Sequence, residues 1–113
     1  MCMIISKEEL LRINEGFGGG LRSDSSIDFA IDMQNNKRLG EYKKLAYLMR
    51  AIIVDHPFND GNKRTAMYLS LKFAEENGKQ VDRDLLLYHI ISIAKNNETI
   101  IRNIERRLKN AIR

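Results

Sequence analysis

The chain holds a single cysteine, Cys2, so no internal disulfide can form, and no Cys/His cluster has the spacing of a structural zinc site. Long apolar runs are missing too: residues 51–54 and 90–91 fall far short of the ~20 residues that cross a bilayer. The N-terminus lacks the basic patch and apolar stretch of a secretory signal. These absences predict a cytoplasmic protein with no membrane partner and no structural metal. Strand-like alternation is absent as well, apart from a short extended piece at 79–81. Proline occurs once, and Pro57 disfavours helical geometry at His56, so a helix is expected to end there. The length suffices for one core and not for two, which predicts a single domain over residues 1–113.

What is present reads as helix nearly throughout, in a composition ordinary for a globular protein. Ser6 and Glu9 form a capping box ahead of Leu10, Leu11 and Ile13, and this first helix stops at Gly16. Ser25 or Ser26 can cap a second helix carrying Ile27, Ala30, Ile31 and Met33. A polar break at 35–40 precedes a third helix over about 41–55, where Leu45, Leu48, Met49, Ile52 and Ile53 recur at helical spacing. A fourth runs from Asn62 to about Asn77, with Gly78 as its C-terminal cap. Asp82 caps a fifth helix through Ala94, and Asn97 a sixth reaching the end. The expected fold is a compact all-α bundle of about six helices with the third to fifth as its core.

Charge is uneven. From Lys95 onward there are six basic residues against two acidic ones, which is the whole of the net +4. Ile100, Ile101, Ile104, Leu108 and Ile112 run between those charges as an apolar stripe. The basic residues therefore read as the solvated outer face of a core-packed helix, and a nucleic-acid partner is not expected.

The chemistry concentrates at residues 56–66. A helix N-terminus carries unpaired N–H groups and partial positive charge, so acidic residues are favoured in its first turn. Here the first turn holds Lys63 and Arg64 instead. That placement is unfavourable unless an anion is bound there, and Gly61 and Asn62 would complete a phosphate cradle with backbone donors. Asp60, just before the cradle, is a carboxylate suited to a magnesium ion shared with phosphates. His56 closes the other end of the loop and is the residue type that accepts a proton near neutral pH. Phe58 is expected to turn inward and anchor the loop. A base, a metal carboxylate and a cationic cradle within nine residues are the parts that phosphoryl-type transfer needs.

The run from His56 to Arg64 resembles the signature of the Fic/Doc superfamily, H-x-F-x-[DE]-G-N-G-R-x-x-R. Lys63 stands where the Fic branch has its second glycine, and Met67 where it has its second arginine. Both departures are similar to the death-on-curing (Doc) branch, H-x-F-x-[DN]-[AG]-N-K-R. Gly18 to Arg22, with residues 27–30 after them, also resemble the glycine-rich loop and next helix of Doc-like proteins. The resemblance implies a helical Fic fold that uses ATP and Mg2+. It implies His56 as base, Asp60 as magnesium ligand, Gly61, Asn62, Lys63 and Arg64 as phosphate binders, and Phe58 as a structural anchor. Fic enzymes transfer AMP to a protein hydroxyl. The Doc branch transfers the γ-phosphate of ATP; its namesake modifies a translation elongation factor and is neutralised by an antitoxin. A lysine in place of glycine at position 63 fills space beside the backbone and offers a point charge from another direction, which fits a changed nucleotide orientation.

The inhibitory helix motif [ST]-x-x-x-E-[GN] of many Fic-type proteins has no counterpart here. Restraint by a separate antitoxin protein is the expectation that follows. The loop at 16–20 lacks nucleotide-fingerprint spacing and reads as a flexible connector, with Arg22 as the residue that would dock a target. His89, among apolar neighbours, reads as a partly buried structural histidine. Three functions remain open: a Doc-type Ser/Thr kinase acting as a toxin, a Fic-type AMP transferase, and a binding module without activity.

Overall fold

The computed structural model describes residues 5–113; Cys2, Met1 and Met3 lie outside them. Helix α1 (Lys7–Gly16) begins with the reciprocal cap its sequence implies: Ser6 Oγ accepts from Glu9 N at 3.2 Å, and Glu9 Oε1 accepts from Ser6 N at 3.5 Å. Helix α2 (Ser25–Gln34) starts one residue earlier than a serine cap would place it. Asp24 occupies the N-cap position without a side-chain cap bond. Its carboxylate is engaged elsewhere, because Lys7 Nζ lies 3.3 Å from Asp24 Oδ2 and 2.7 Å from Asp28 Oδ1. The hydrogen bond to Asp28, above all, holds the Lys7 ammonium above the ordinary lysine value.

The third helical stretch departs from regular winding. Helix α3 (Glu41–Met49) passes without a break into a π-helical segment (Arg50–Val54), in which Asp55 N reaches back five residues to Arg50 O at 3.4 Å. Wider winding turns less per residue, and this keeps Ala51, Ile52 and Ile53, three successive side chains, on the core side. Helix α4 (Asn62–Glu76) follows the loop, and Gly78 takes a left-handed φ of 64° just past its end.

Helix α5 (Arg83–Asn96) is capped by Asp82, whose side chain accepts from Leu85 N. Asn97 closes α5 from the left-handed region, φ 52°, rather than opening the next helix as expected. At the start of α6 (Ile101–Ala111) Glu98 Oε1 accepts from Ile100 N instead. The core is also wider than expected. Helix α6 packs along α3, burying Ile104, Leu108 and Ala111, with Ile112 buried just beyond. The extended piece at 79–81 forms one antiparallel bridge, Val81 to Ile112, fastened by Arg113 N to Gln80 O at 2.7 Å. Six α-helices therefore surround one core, with no sheet among the described residues, as an all-α bundle of the expected class. None of these helices is long and apolar enough to cross a membrane.

Candidate functional site

The π-helical segment stops one residue short of His56, and such segments recur at functional sites. His56 itself adopts a left-handed φ of 49°, an uncommon conformation for a non-glycine residue. Its neighbours hold it there. Arg22 Nη2 donates to His56 O, and the backbone N–H groups of Arg22 and Ser23 both donate to Pro57 O, at 2.7 and 3.1 Å. Leu21 bridges Phe58 in antiparallel fashion, and Asn59 N donates to Gly20 O at 2.9 Å. The loop at 16–20, read as a flexible connector, is thus fastened at Gly20, and residues 21–23 after it are laced to the loop beside them. Arg22, read as a docking residue, is exposed and gives one guanidinium nitrogen to the histidine's backbone.

A second set of bonds fixes the loop from below. Phe58 is buried, as expected, and the side chain of Asn62 clasps its backbone on both sides. Asn62 Oδ1 accepts from Phe58 N at 3.3 Å and Nδ2 donates to Phe58 O at 3.0 Å. Asn14, fully buried on α1, donates through Nδ2 to Asp60 O (2.9 Å) and to Thr65 Oγ1 (3.1 Å). Gly19 passes so close that a Cβ there would lie 2.2 Å from Asn14 Oδ1 and 2.4 Å from Asp60 O, so only glycine fits. Asn14 was missed from the sequence, though it left a signal, a lone amide one helical turn after Leu10 on the apolar face of α1. Gly19 was noted as part of the glycine-rich loop, but its close approach to Asn14 and Asp60 was not read.

The helix start follows, where the sequence placed the cradle. Gly61 turns with φ 74°, and the first helical bond is Thr65 N to Gly61 O at 2.8 Å. The N–H groups of Asn62, Lys63 and Arg64 come before that bond and are the ones a helix leaves without internal partners. Gly61 N is engaged already, donating to Asp60 Oδ1 at 2.8 Å. Of the two backbone donors assigned to the cradle, that of Asn62 is the one left for an anion. Lys63 and Arg64 are exposed in the first turn, and Arg64 lies over the Phe17 ring, 5.9 Å from its centroid. The Arg64–Asp60 pair, at 3.7 Å with both side chains more than half exposed, binds weakly enough to leave either group available.

His56, Asp60, Gly61, Asn62, Lys63 and Arg64 line one cavity of about 190 Å³, together with Asn59. Met67 packs against the core instead and adds no charge to it. Asp60 stands alone as a carboxylate there, and no group of three or more His, Cys, Asp or Glu side chains able to hold a metal occurs among the described residues. One carboxylate beside phosphate-binding donors fits a magnesium ion whose remaining ligands are phosphate oxygens and water, and does not fit a metal held by protein alone.

Fold and site together define an all-α protein with two exposed cations in the first turn of a helix, a histidine at one edge of the cavity there and a carboxylate at the other. The chain belongs to the Fic/DOC family, whose model matches residues 6–74, from the capping serine of α1 to the last buried turn of α4. Members of this family generally transfer nucleotide-derived groups onto proteins. No curated protein and no solved structure matches the chain.

Proposed function

We propose that the chain is a Doc-type protein kinase that moves the γ-phosphate of ATP onto a Ser or Thr hydroxyl of a target protein. The target we favour is a translation elongation factor, which makes the protein a growth-arresting toxin held in check by an antitoxin. The observation that carries this reading is the gathering of His56, Asp60, Asn62, Lys63 and Arg64 around one cavity with two cations in a helix's first turn. At about 190 Å³ that cavity is below the roughly 300–1,000 Å³ of whole-ligand pockets, so it is matched to phosphates rather than to a complete nucleotide.

In this mechanism the triphosphate lies against the free N–H groups of α4 with Lys63 and Arg64 around it. His56 takes the proton from the target hydroxyl as that oxygen attacks the γ-phosphorus. The new O–P bond forms, the bond to the bridging β–γ oxygen breaks, ADP leaves, and the proton stays on the imidazole. Asp60 would hold Mg2+, which neutralises charge on the phosphates when bound. Lys63, in place of a glycine, and the uncharged position 67 favour γ-transfer over AMP transfer.

The test is transfer of label from ATP to proteins of a cell extract. His56→Ala should lose transfer by at least about a hundredfold, the low end of general-base contributions, while still binding ATP. Asp60→Ala should lose Mg2+-dependent ATP binding and keep its fold. A His56→Ala protein that transfers at the parent rate would remove histidine from the mechanism.

A further inference from the structure

A larger cleft, about 480 Å³, lies between α5 and α6 and shares no residue with the cavity above; it is lined by His89, Glu98, Asn103, Arg106, Arg107 and Asn110. We propose that it is a second binding site, for a small oxyanion ligand carrying phosphate or carboxylate groups. His89 is 8% exposed on a helix whose other buried positions, Leu86, Ile90 and Ile93, are apolar. Both of its ring nitrogens are engaged: Arg107 Nη1 lies 3.0 Å from Nδ1, and Asn110 Oδ1 lies 2.9 Å from Nε2. A guanidinium only donates, so Nδ1 must be the acceptor and the ring proton sits on Nε2, facing Asn110. The imidazole is therefore neutral in this arrangement. It aims Arg107 without neutralising it.

Arg107 is half-buried, and among the described residues neither it nor Arg106 has a carboxylate within ion-pair distance. Withdrawing a cation from water without a counter-charge is unfavourable. Glu98, the one carboxylate lining the cleft, is occupied at the start of α6, where Oε1 accepts from Ile100 N at 3.1 Å and Asn103 Nδ2 at 3.5 Å. Two arginines, Arg106 exposed and Arg107 half-buried and oriented by a buried neutral side chain, thus face a cleft of small-molecule size that holds one carboxylate, an excess of one positive charge with no ion pair formed. An oxyanion supplies what is missing, since carboxylate and phosphate pair with the planar guanidinium through two parallel bonds. The basic excess of the C-terminal helix, read as a solvated face, acquires at Arg106 and Arg107 a local use.

The test is NMR on the full chain, following the Arg107 Nε–H and His89 ring signals during titration with inorganic phosphate and, separately, citrate. Sodium chloride at equal ionic strength serves as control. Backbone amides of 62–64 report phosphate at the α4 cradle independently. Saturable shifts at Arg107 and His89 are expected with the oxyanions and not with chloride. They should vanish in Arg107→Ala and weaken about tenfold in Arg107→Lys, which keeps the charge and loses the fork. A stronger response to citrate would identify carboxylate as the ligand chemistry, and to phosphate the phosphoryl group. Linear shifts matching those of chloride, or a saturable response unchanged in both variants, would overturn the proposal. The α4 amides could respond in either case, so the cradle and this site stand or fall separately.

Discussion

Asn62 shows how one side chain separates a structural from a ligand-binding role. Its amide exchanges two hydrogen bonds with the Phe58 peptide, one as donor and one as acceptor. Asn62→Ala leaves that partly buried peptide without partners and should cost about 2 kcal/mol, read as a lowered midpoint in thermal or urea unfolding of the free protein. Unchanged stability would mean that the amide serves the ligand alone. Arg22 makes the complementary case. Its bond to His56 O is exposed, so Arg22→Ala should cost no more than about 1 kcal/mol of stability. Transfer should nevertheless fall roughly tenfold or more with ATP binding unchanged, because the imidazole loses its fixed position. A loss of ATP affinity instead would contradict this positioning role and give Arg22 a contact with the nucleotide. The motif residues were legible in the sequence because they are contiguous and set cations where a helix start favours acids. Arg22's hold on His56 and Asn14's on Asp60 were not legible, since they join positions 34 and 46 residues apart.

Helix existence was readable from spacing and caps, and Ser6 and Asp82 do what their positions imply. Winding was not. Apolar side chains at Ile52 and Ile53 fit an i→i−4 or an i→i−5 ladder equally, so the π-helical segment that delivers the chain to His56 left no mark in the pattern. Asn97 misled for a related reason: asparagine suits an N-cap and a left-handed C-terminal residue alike, and the helix before it claimed it. The apolar stripe of α6 was readable behind its basic outer face, and Ile104, Leu108 and Ile112 form a buried inner row, whereas Ile100 at the N-cap position stays exposed. Leu108→Ala in that row should cost roughly 3 kcal/mol, as large-to-small core changes do, whereas Leu87→Ala on the exposed face of α5 should cost well under ~1 kcal/mol. Equal losses in chemical denaturation would place α6 outside the core.

The family match ends at residue 74, yet α5 and α6 complete the packing around α3, and the radius of gyration of 12.6 Å is close to the ~13 Å of one closely packed unit of this length. The α1–α4 part carries the cradle; the last two helices close the core around it and bring their own cleft. The central claim, γ-phosphoryl transfer from a triphosphate held at the start of α4, is tested most directly by two labels. Purified protein and its His56→Ala variant would be incubated with cell extract and ATP labelled at either the α- or the γ-phosphate. The account predicts protein-bound label from the γ position only, absent with His56→Ala. Label arriving from the α position would contradict it and make the chain an AMP transferase despite Lys63.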